Sequence, residues 1–463
     1  MNYNAFCVHA HFYQPPREDP FTGKIPVEPG AAPYPNWNER IYQQCYKPNA
    51  ELGNFSRISF NIGPTLAKWL EEFHPETLNR IIEQENEVYR KYGVSNGMAQ
   101  SYNHTILPLA TPEDKITQIR WGIGDFEHRF GHKPSGMWMP ETAADLKTLQ
   151  AMADEGISFT IMAPWQAKKN AVDVTHPYLV ELPNGKSITV FFYNADLSMQ
   201  VSFNPKATVN ADGFMYEYLR PCYPVKSRRP RLNIIASDGE LYGHHQPFRD
   251  RFLEWLTTGA LEKANIELTF PALWLRDHPA VKTIKIYDDT SWSCHHGIKR
   301  WCGVCECAED GEWKAPMRRI FNRIAAYTDE EMQKRLDPYG LNLQDFRDEY
   351  IHVLTGDETA EAQLHRLIAA DLSEKEEQDL LTFMRAQYER QRMFTSCGWF
   401  FWDFERIEAR NNLAYAAMAV LLAEPVTGDS YEQKQVYRAL TQVRMQASGV
   451  RASTIFKNAY DRK

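Results

Sequence analysis

Short apolar runs alternate with amphipathic helical stretches over the first two thirds of the chain. Helical periodicity covers residues 64–92, with a break at His74-Pro75, and another helix is predicted to begin after Thr111. The runs that predict strands are 6–10, 97–102, 135–139, 157–163, 178–183, 187–192 and 232–236. Strands that alternate with helices indicate a parallel sheet, and a chain of this length favours a closed barrel over an open sheet.

The pattern changes near residue 310, where strand signals nearly vanish. Helical periodicity then dominates, in residues 314–335, 360–370, 373–395 and 405–423. The sequence therefore predicts two domains. We expect a catalytic barrel over residues 1–309 and a helical domain over residues 310–463 that contributes to the active-site cleft.

Composition narrows the class of partner. The net charge is -8 at pH 7 and no basic tract is present, which argues against nucleic acid or a membrane surface as a partner. The chain contains 12 Trp, 23 Tyr and 24 Phe, and flat aromatic faces suit sugar rings. Large barrels also contain many aromatic side chains in their cores, so composition alone favours that interpretation.

The first residues lack the charged and apolar segments of a signal peptide, and no run of 18 apolar residues occurs. We therefore expect a cytoplasmic protein. In that compartment the 8 Cys are expected to be thiols or metal ligands and not disulfides.

Four predicted strands end in clusters of polar and aromatic residues. Catalytic groups of parallel barrels lie at the carboxyl ends of strands, so these clusters are the candidate site. They are HAHFYQPP at 9–16, SYNH at 101–104, GMWMPE at 136–141 and ASDGELYGHH at 236–245.

Two carboxyl groups within these clusters suit glycosidic bond cleavage. Such cleavage needs one carboxyl to protonate the leaving oxygen and another to attack the anomeric carbon or activate water. Glu141 and Asp238 each follow an apolar strand and lie among aromatic residues, so they are the best pair.

The clusters resemble the sequence regions that define glycoside hydrolase family 57. The matching segments, in chain order, are 9–15, HTILP at 104–108, 136–141, 238–244 and SCGWFF at 396–401. The family places its nucleophile on the Glu of the third segment and its acid/base on the Asp of the fourth. His245 departs from the pattern, since many members have Trp there, and the chain most resembles a less-characterised branch.

The resemblance implies a (β/α)7 barrel with an appended C-terminal α-helical domain. It also implies retaining chemistry on α-1,4-linked glucans or maltooligosaccharides through a glycosyl-enzyme intermediate. Glu141 is then the nucleophile and Asp238 the general acid/base, and no cofactor is needed. Whether water or a sugar hydroxyl accepts the glycosyl group stays open, as does the oligomeric state.

Further side chains of these segments are predicted to bind substrate. The histidines would donate or accept hydrogen bonds with sugar hydroxyls, or else be buried structural residues. The two tryptophans would stack on sugar rings, or else belong to the core. Glu240 would orient Asp238 or replace it as the acid. The predicted substrate-binding residues are His9, His11, Gln14, His104, Trp138, Glu240, His244 and Trp399.

A cysteine-rich segment has no role in that mechanism. Cys302, Cys305 and Cys307 place three thiols within six residues, after the sequence WSCHH at 292–296. These thiols are the candidate zinc ligands of the chain. The alternative is a cysteine-rich loop that packs near the mouth of the barrel.

Two other functions stay open at this point. One is a metal-dependent carbohydrate hydrolase, such as a deacetylase or mannosidase, with His9, His11 and Asp238 as ligands. Its weakness is that Glu141 would have no role. The other is a glucan-binding protein without catalytic activity, which would not need both carboxyl groups.

Overall fold

The computed structural model describes residues 4–224 and 229–461, in two compact units. The first unit comprises residues up to Gln14, Val27–Ser101 and Phe126–Ser293, and the second comprises Pro15–Pro26, Tyr102–Asp125 and the chain from Cys294 onward. Residues 294–309, which were predicted to belong to the barrel domain, therefore belong to the second unit.

All ten strands of the described residues lie in the first unit. They are β1 (Asn4–Phe12), β2 (Ser59–Ile62), β3 (Ala99–Gln100), β4 (Met137–Trp138), β5 (Phe159–Met162), β6 (Tyr178–Glu181), β7 (Ser187–Phe192), β8 (Arg231–Asp238), β9 (Glu267–Leu268) and β10 (Lys282–Thr283).

Seven of the strands form a (β/α)7 barrel, the predicted fold class. Parallel pairing joins β8 to β1, β1 to β2, β3 to β4 and β5 to β7. Isolated parallel bridges continue the order from β2 to β3, between Phe60 and Gly97, and from β4 to β5. Just after β7, the Asn194 amide donates to the Ile234 carbonyl of β8 at 2.8 Å. The order of neighbours thus returns to its starting strand.

Several helices between the strands begin at side-chain caps that the sequence contains. The Thr111 hydroxyl accepts a hydrogen bond from the Asp114 amide at 3.1 Å, which confirms the predicted N-cap of α5. The first twelve helices are α1 (Trp37–Ile41), α2 (Lys47–Glu51), α3 (Pro64–Phe73), α4 (Pro75–Tyr92), α5 (Pro112–Phe130), α6 (Leu146–Asp154), α7 (Ala195–Phe203), α8 (Ala211–Phe214), α9 (Arg249–Trp255), α10 (Leu261–Lys263), α11 (Pro271–Asp277) and α12 (Lys299–Cys302).

Several of the remaining helices share an apolar core in the second unit. Met332, Leu364 and Phe383 are buried together there, on three different helices. A capping box between Ser373 and Glu376 starts the helix that contains Phe383. The remaining helices are α13 (Lys314–Leu336), α14 (Leu343–Asp348), α15 (Ile351–Leu354), α16 (Ala360–Leu367), α17 (Glu374–Arg392), α18 (Cys397–Phe400), α19 (Ile407–Thr427), α20 (Tyr431–Leu440) and α21 (Ala452–Tyr460).

Two local predictions differ from the structure. The sequence pattern predicts a helix from about Thr142 to Glu155, but the helix begins only at Leu146, because Thr142 itself has a positive φ of 47°. The Asn184-Gly185 pair between the runs 178–183 and 187–192 predicts a hairpin with a type I′ turn. Instead the Gly185 amide donates to the Leu182 carbonyl at 3.0 Å, and only Gly185 has a positive φ. Pro183, whose ring fixes a negative φ, favours this turn.

Among the described residues, no helix has the length and apolar character needed to cross a bilayer.

Candidate active site at the strand ends

Glu141 lies three residues beyond β4 in a strained turn. Glu141 and Thr142 have φ angles of 59° and 47°, in the left-handed region that costs a residue with a side chain about 1–3 kcal/mol. Gln166 holds the turn: its amide nitrogen donates to the Thr142 carbonyl at 2.8 Å, and its oxygen accepts from the Thr142 hydroxyl at 2.9 Å. These hydrogen bonds hold the strained turn in place and so fix the direction in which the Glu141 side chain leaves the backbone.

Two donors hold the Glu141 carboxylate. The Trp292 indole N–H donates to Oε2 at 3.0 Å, and the Ser293 hydroxyl donates to the same oxygen at 2.6 Å. The Trp292 amide also donates to the Glu141 carbonyl at 3.0 Å. Donors to a carboxylate stabilise its charged form, which is the form that a nucleophile needs.

Asp238 is the last residue of β8 and has a different environment. It stands in register with His11 of β1. Solvent reaches the side chain, yet the surrounding protein desolvates the carboxyl group and raises its pKa to about 6. A carboxyl group with this pKa is partly protonated near neutral pH, as a general acid must be.

Glu240, two residues further on, is buried. Its pKa is raised to about 8, chiefly by burial; the hydrogen bond from Tyr46 opposes the shift and the charge of Asp238 adds to it. The Tyr46 hydroxyl donates to Oε1 at 2.7 Å and the Tyr13 amide donates to the same atom at 3.1 Å. Glu240 is thus a fixed and mostly protonated neighbour of Asp238 at neutral pH.

His9 and His11 stack on Trp138 of β4, with ring centroids 4.7 and 5.3 Å apart. Their Nδ1 atoms lie 2.9 Å from the Ser59 hydroxyl and 3.2 Å from the Asn61 amide oxygen. Burial lowers the pKa of His9 to about 3 and that of His11 to about 4, so both rings are neutral.

These contacts join the two carboxyl groups to one end of the barrel. His11 stands beside Asp238, and Trp138 meets Trp292 edge to face at 5.1 Å, next to Glu141. Trp138 and His9 are fully buried, so neither offers a surface to a sugar ring or hydroxyl in this structure. Contacts with substrate were expected for both residues, but the structure gives them roles in packing instead, because their stacked rings cover each other.

Gln14 and His244 both lie near Glu240, but they contact different neighbours. The Gln14 carbonyl accepts from the Thr65 hydroxyl at 2.6 Å, and its side chain hydrogen-bonds Tyr46, the donor to Glu240. The His244 Nδ1 lies 2.7 Å from the Gln44 amide oxygen, and burial lowers its pKa to about 4. Their predicted contacts with substrate stay predictions.

His104 and Trp399 belong to the second unit. His104 has a φ of 54°, and its Nδ1 lies 2.5 Å from the Ser396 hydroxyl, so the second and fifth motifs meet. Its predicted contact with sugar hydroxyls stays a prediction. Trp399 is fully buried between Trp313 and Arg318, and its indole N–H donates to a backbone carbonyl. The expectation that Trp399 stacks on a sugar is therefore corrected to a role in the core.

Sequence reasoning gave no role to four residues that organise the site. Tyr46 and Gln166 lie outside all motifs and carry no signal of their own. Trp292 and Ser293 appear in the sequence only as neighbours of the cysteine-rich segment. They follow the strand-like residues 283–288 as an aromatic-polar pair, and this was the available signal.

Comparisons with known proteins identify relatives of both units. The model for "Glycosyl hydrolase family 57" matches residues 7–287, and "Domain of unknown function (DUF3536)" matches residues 310–457. "Alpha-amylase 1" of Dictyoglomus thermophilum is 24% identical over 216 residues, which are 44% of this chain. The match spans 29% of that curated relative.

Solved structures extend the likeness to nearly the whole chain. An exo-type maltose-forming amylase from Pyrococcus sp. ST04 has a TM-score of 0.76 at 16% identity, covering 99% of this chain and 88% of that one. A family 57 branching enzyme from Thermococcus kodakaraensis has a TM-score of 0.65 at 14% identity, with 97% and 96% covered. At sequence identities this low, the structural similarity shows a shared fold and no more.

Proposed function

Since the chain belongs to glycosyl hydrolase family 57, we propose that it is a retaining glycoside hydrolase or transglycosylase that acts on α-1,4-linked glucans. The observation that carries the proposal is the pair of unlike carboxyl groups at one end of the barrel. Glu141 accepts two hydrogen bonds after β4, and desolvation raises the pKa of Asp238 at the end of β8. The names of the relatives, amylase and branching enzyme, supply the substrate class of the proposal.

In the first step, Glu141 attacks the anomeric carbon of the bound glucan. A bond forms between its carboxylate oxygen and that carbon while the glycosidic carbon–oxygen bond breaks. Asp238 transfers its proton to the departing oxygen, so that a neutral hydroxyl leaves.

In the second step, the ester bond between the glycosyl group and Glu141 is cleaved. Water or a sugar hydroxyl attacks the anomeric carbon, and Asp238 accepts the proton of the attacking group. The carboxylate of Glu141 is restored, with Trp292 and Ser293 again donating to it. Two inversions give net retention, and we expect the two carboxyl groups to be about 5 Å apart.

Glu240 serves this cycle as a positioning residue. As a mostly protonated carboxyl group held by Tyr46 and Tyr13, it adds little negative charge beside Asp238 during the proton transfers. His11 is neutral and adjoins Asp238 across the β1–β8 pair, which suits a hydrogen bond to a sugar hydroxyl.

The experiment is incubation with amylose and with maltooligosaccharides, with Glu141→Gln as the blank. Reducing ends report hydrolysis, redistributed chain lengths report transfer, and new α-1,6 linkages report branching. NMR of the first product gives its anomer. Retained configuration supports the proposal, whereas an inverted anomer contradicts it. Glucan binding with no product contradicts it also, and favours the non-catalytic alternative.

A further inference from the structure

Four ligand-type side chains at the start of the C-terminal segment of the second unit converge on one point. They are Cys294, His296, Cys305 and Cys307, whose ligand atoms all lie within 4.8 Å of one another. The Cys294 sulfur lies 3.5 Å from that of Cys305 and 3.9 Å from that of Cys307. The His296 Nδ1 lies 3.9, 3.5 and 3.3 Å from the sulfurs of Cys294, Cys305 and Cys307.

These distances match the edges of a tetrahedral zinc site. With zinc–sulfur bonds of about 2.3 Å and zinc–nitrogen bonds of about 2.0–2.1 Å, tetrahedral angles place two sulfurs about 3.8 Å apart and sulfur and nitrogen about 3.6 Å apart. A disulfide would need about 2.05 Å, far shorter than either sulfur–sulfur distance given above. We propose that Cys294, His296, Cys305 and Cys307 bind one Zn²⁺.

The second nitrogen of His296 supports this assignment independently. Its Nε2 lies 3.3 Å from the Glu306 carboxylate. A metal-bound histidine characteristically donates its other ring N–H to a carboxylate, which fixes the ring and makes the bound nitrogen a better donor. Glu306 is largely exposed and stands between two of the cysteine ligands, so this contact is local to the site.

The ligand set differs from the one that the sequence suggested. Cys302 is the last residue of α12, and its thiol donates to the Ile298 and Lys299 carbonyls at 3.6 and 3.8 Å. The helix thus directs Cys302 away from the cluster. Cys294 and His296 instead complete the set with Cys305 and Cys307. One pair of ligands precedes α12 and the other follows it, and in each pair a single residue separates the two ligands.

Four protein ligands leave no open position, so the zinc is structural and not catalytic. It closes residues 294–307 into a loop and fixes the backbone at Cys294. That residue directly follows Ser293, a donor to the Glu141 carboxylate. The metal therefore limits the freedom of the segment that holds the proposed nucleophile, without touching a substrate.

The test measures metal in the full chain, produced without a histidine tag. Elemental analysis should give about one zinc per chain. Cys305→Ser combined with Cys307→Ser should lower zinc at least tenfold, whereas Cys302→Ser, in the same segment, should retain it. Cobalt-substituted protein should show the visible absorption of a tetrahedral thiolate site, and this band should persist in Glu141→Gln.

A measurement on the folded wild-type protein covers the case in which the double variant does not fold. Titration of its thiols with a mercurial, in the presence of a chromogenic zinc chelator, should release one zinc per chain. Zinc below about one-tenth per chain would overturn the proposal, as would iron in its place, a disulfide within the cluster, or full zinc retention in a folded double variant.

Discussion

The ends of β4 and β8 present a carboxyl group each, in opposite surroundings. Glu141 follows β4 in a left-handed turn and accepts hydrogen bonds from Trp292 and Ser293. Asp238 ends β8 in extended backbone, and desolvation raises its pKa to about 6. The same functional group is thus stabilised in its charged form at one strand end and in its neutral form at the other.

The contrast shows how environment divides two roles between equal groups. Hydrogen-bond donors lower the cost of charge on a carboxylate, while desolvation raises it. A nucleophile needs the charge and an acid needs the proton, so the two strand ends suit the two roles. Each prediction below removes one side of this contrast.

Loss of the proposed nucleophile has the largest expected effect. Glu141→Gln keeps the size of the side chain but removes the charge, and should lower kcat by about 10⁴-fold or more. The measurement is the initial rate of product formation from maltooligosaccharides. Glu181→Gln, at the exposed end of β6, is the matched control and should keep full activity. Activity within tenfold of wild type in Glu141→Gln would exclude Glu141 as the nucleophile.

Loss of the proposed acid should depend on the leaving group. Asp238→Asn should lower kcat on maltooligosaccharides by about 10²–10⁴-fold, the usual contribution of general acid–base catalysis. Aryl maltosides with acidic phenols need no proton to leave, so their first step should be much less affected. Rates measured for a series of phenols give this dependence. An equal loss for all leaving groups would contradict the role of Asp238.

The strand ends could be predicted from sequence because their chemistry is local. Glu141 and Asp238 directly follow apolar runs, and the parallel barrel was expected from the alternation of strands and helices. Cys305 and Cys307 were recognised as possible metal ligands from spacing alone. In each case the informative residues lie within a few positions of one another.

The partners of these residues could not be predicted, because they lie far away in the sequence. Trp292 and Ser293 meet Glu141 across about 150 positions, and Tyr46 meets Glu240 across 194. The burial of individual side chains could not be predicted either, because nothing in a motif distinguishes the fully buried Trp399 from an indole at a binding surface. Such distinctions depend on which faces the tertiary fold covers.

Removal of one donor should weaken the Glu141 side of the contrast without abolishing it. The Ser293 hydroxyl holds the direction of the Glu141 carboxylate, so Ser293→Ala should lower kcat by roughly 10–100-fold through lost alignment with the anomeric carbon. The measurement is kcat and KM on maltooligosaccharides. Ser187→Ala, exposed on β7, is the control. A kcat equal to that of the wild type would show that the Ser293 contact has no role in the chemistry.

The smallest expected effect concerns the neighbour of the acid. Burial raises the pKa of Glu240 to about 8, above the value of about 4.3 for an unfolded chain. The folded protein therefore holds a proton that the unfolded chain releases between these values. Its contribution to stability is complete below about pH 4 and is lost as the pH rises through about 8.

Glu240→Gln should therefore flatten the dependence of the unfolding free energy on pH between about 5 and 8. The amide resembles the protonated carboxyl group and its oxygen still accepts from Tyr46 and Tyr13, so the variant should be no less stable than wild type at pH 8. Denaturant unfolding at several pH values measures this, with Glu87→Gln, exposed on α4, as the control. Destabilisation of Glu240→Gln at every pH would show that Glu240 is charged in the native protein. The β8 end would then carry a second negative charge, and its contrast with β4 would rest on Asp238 alone.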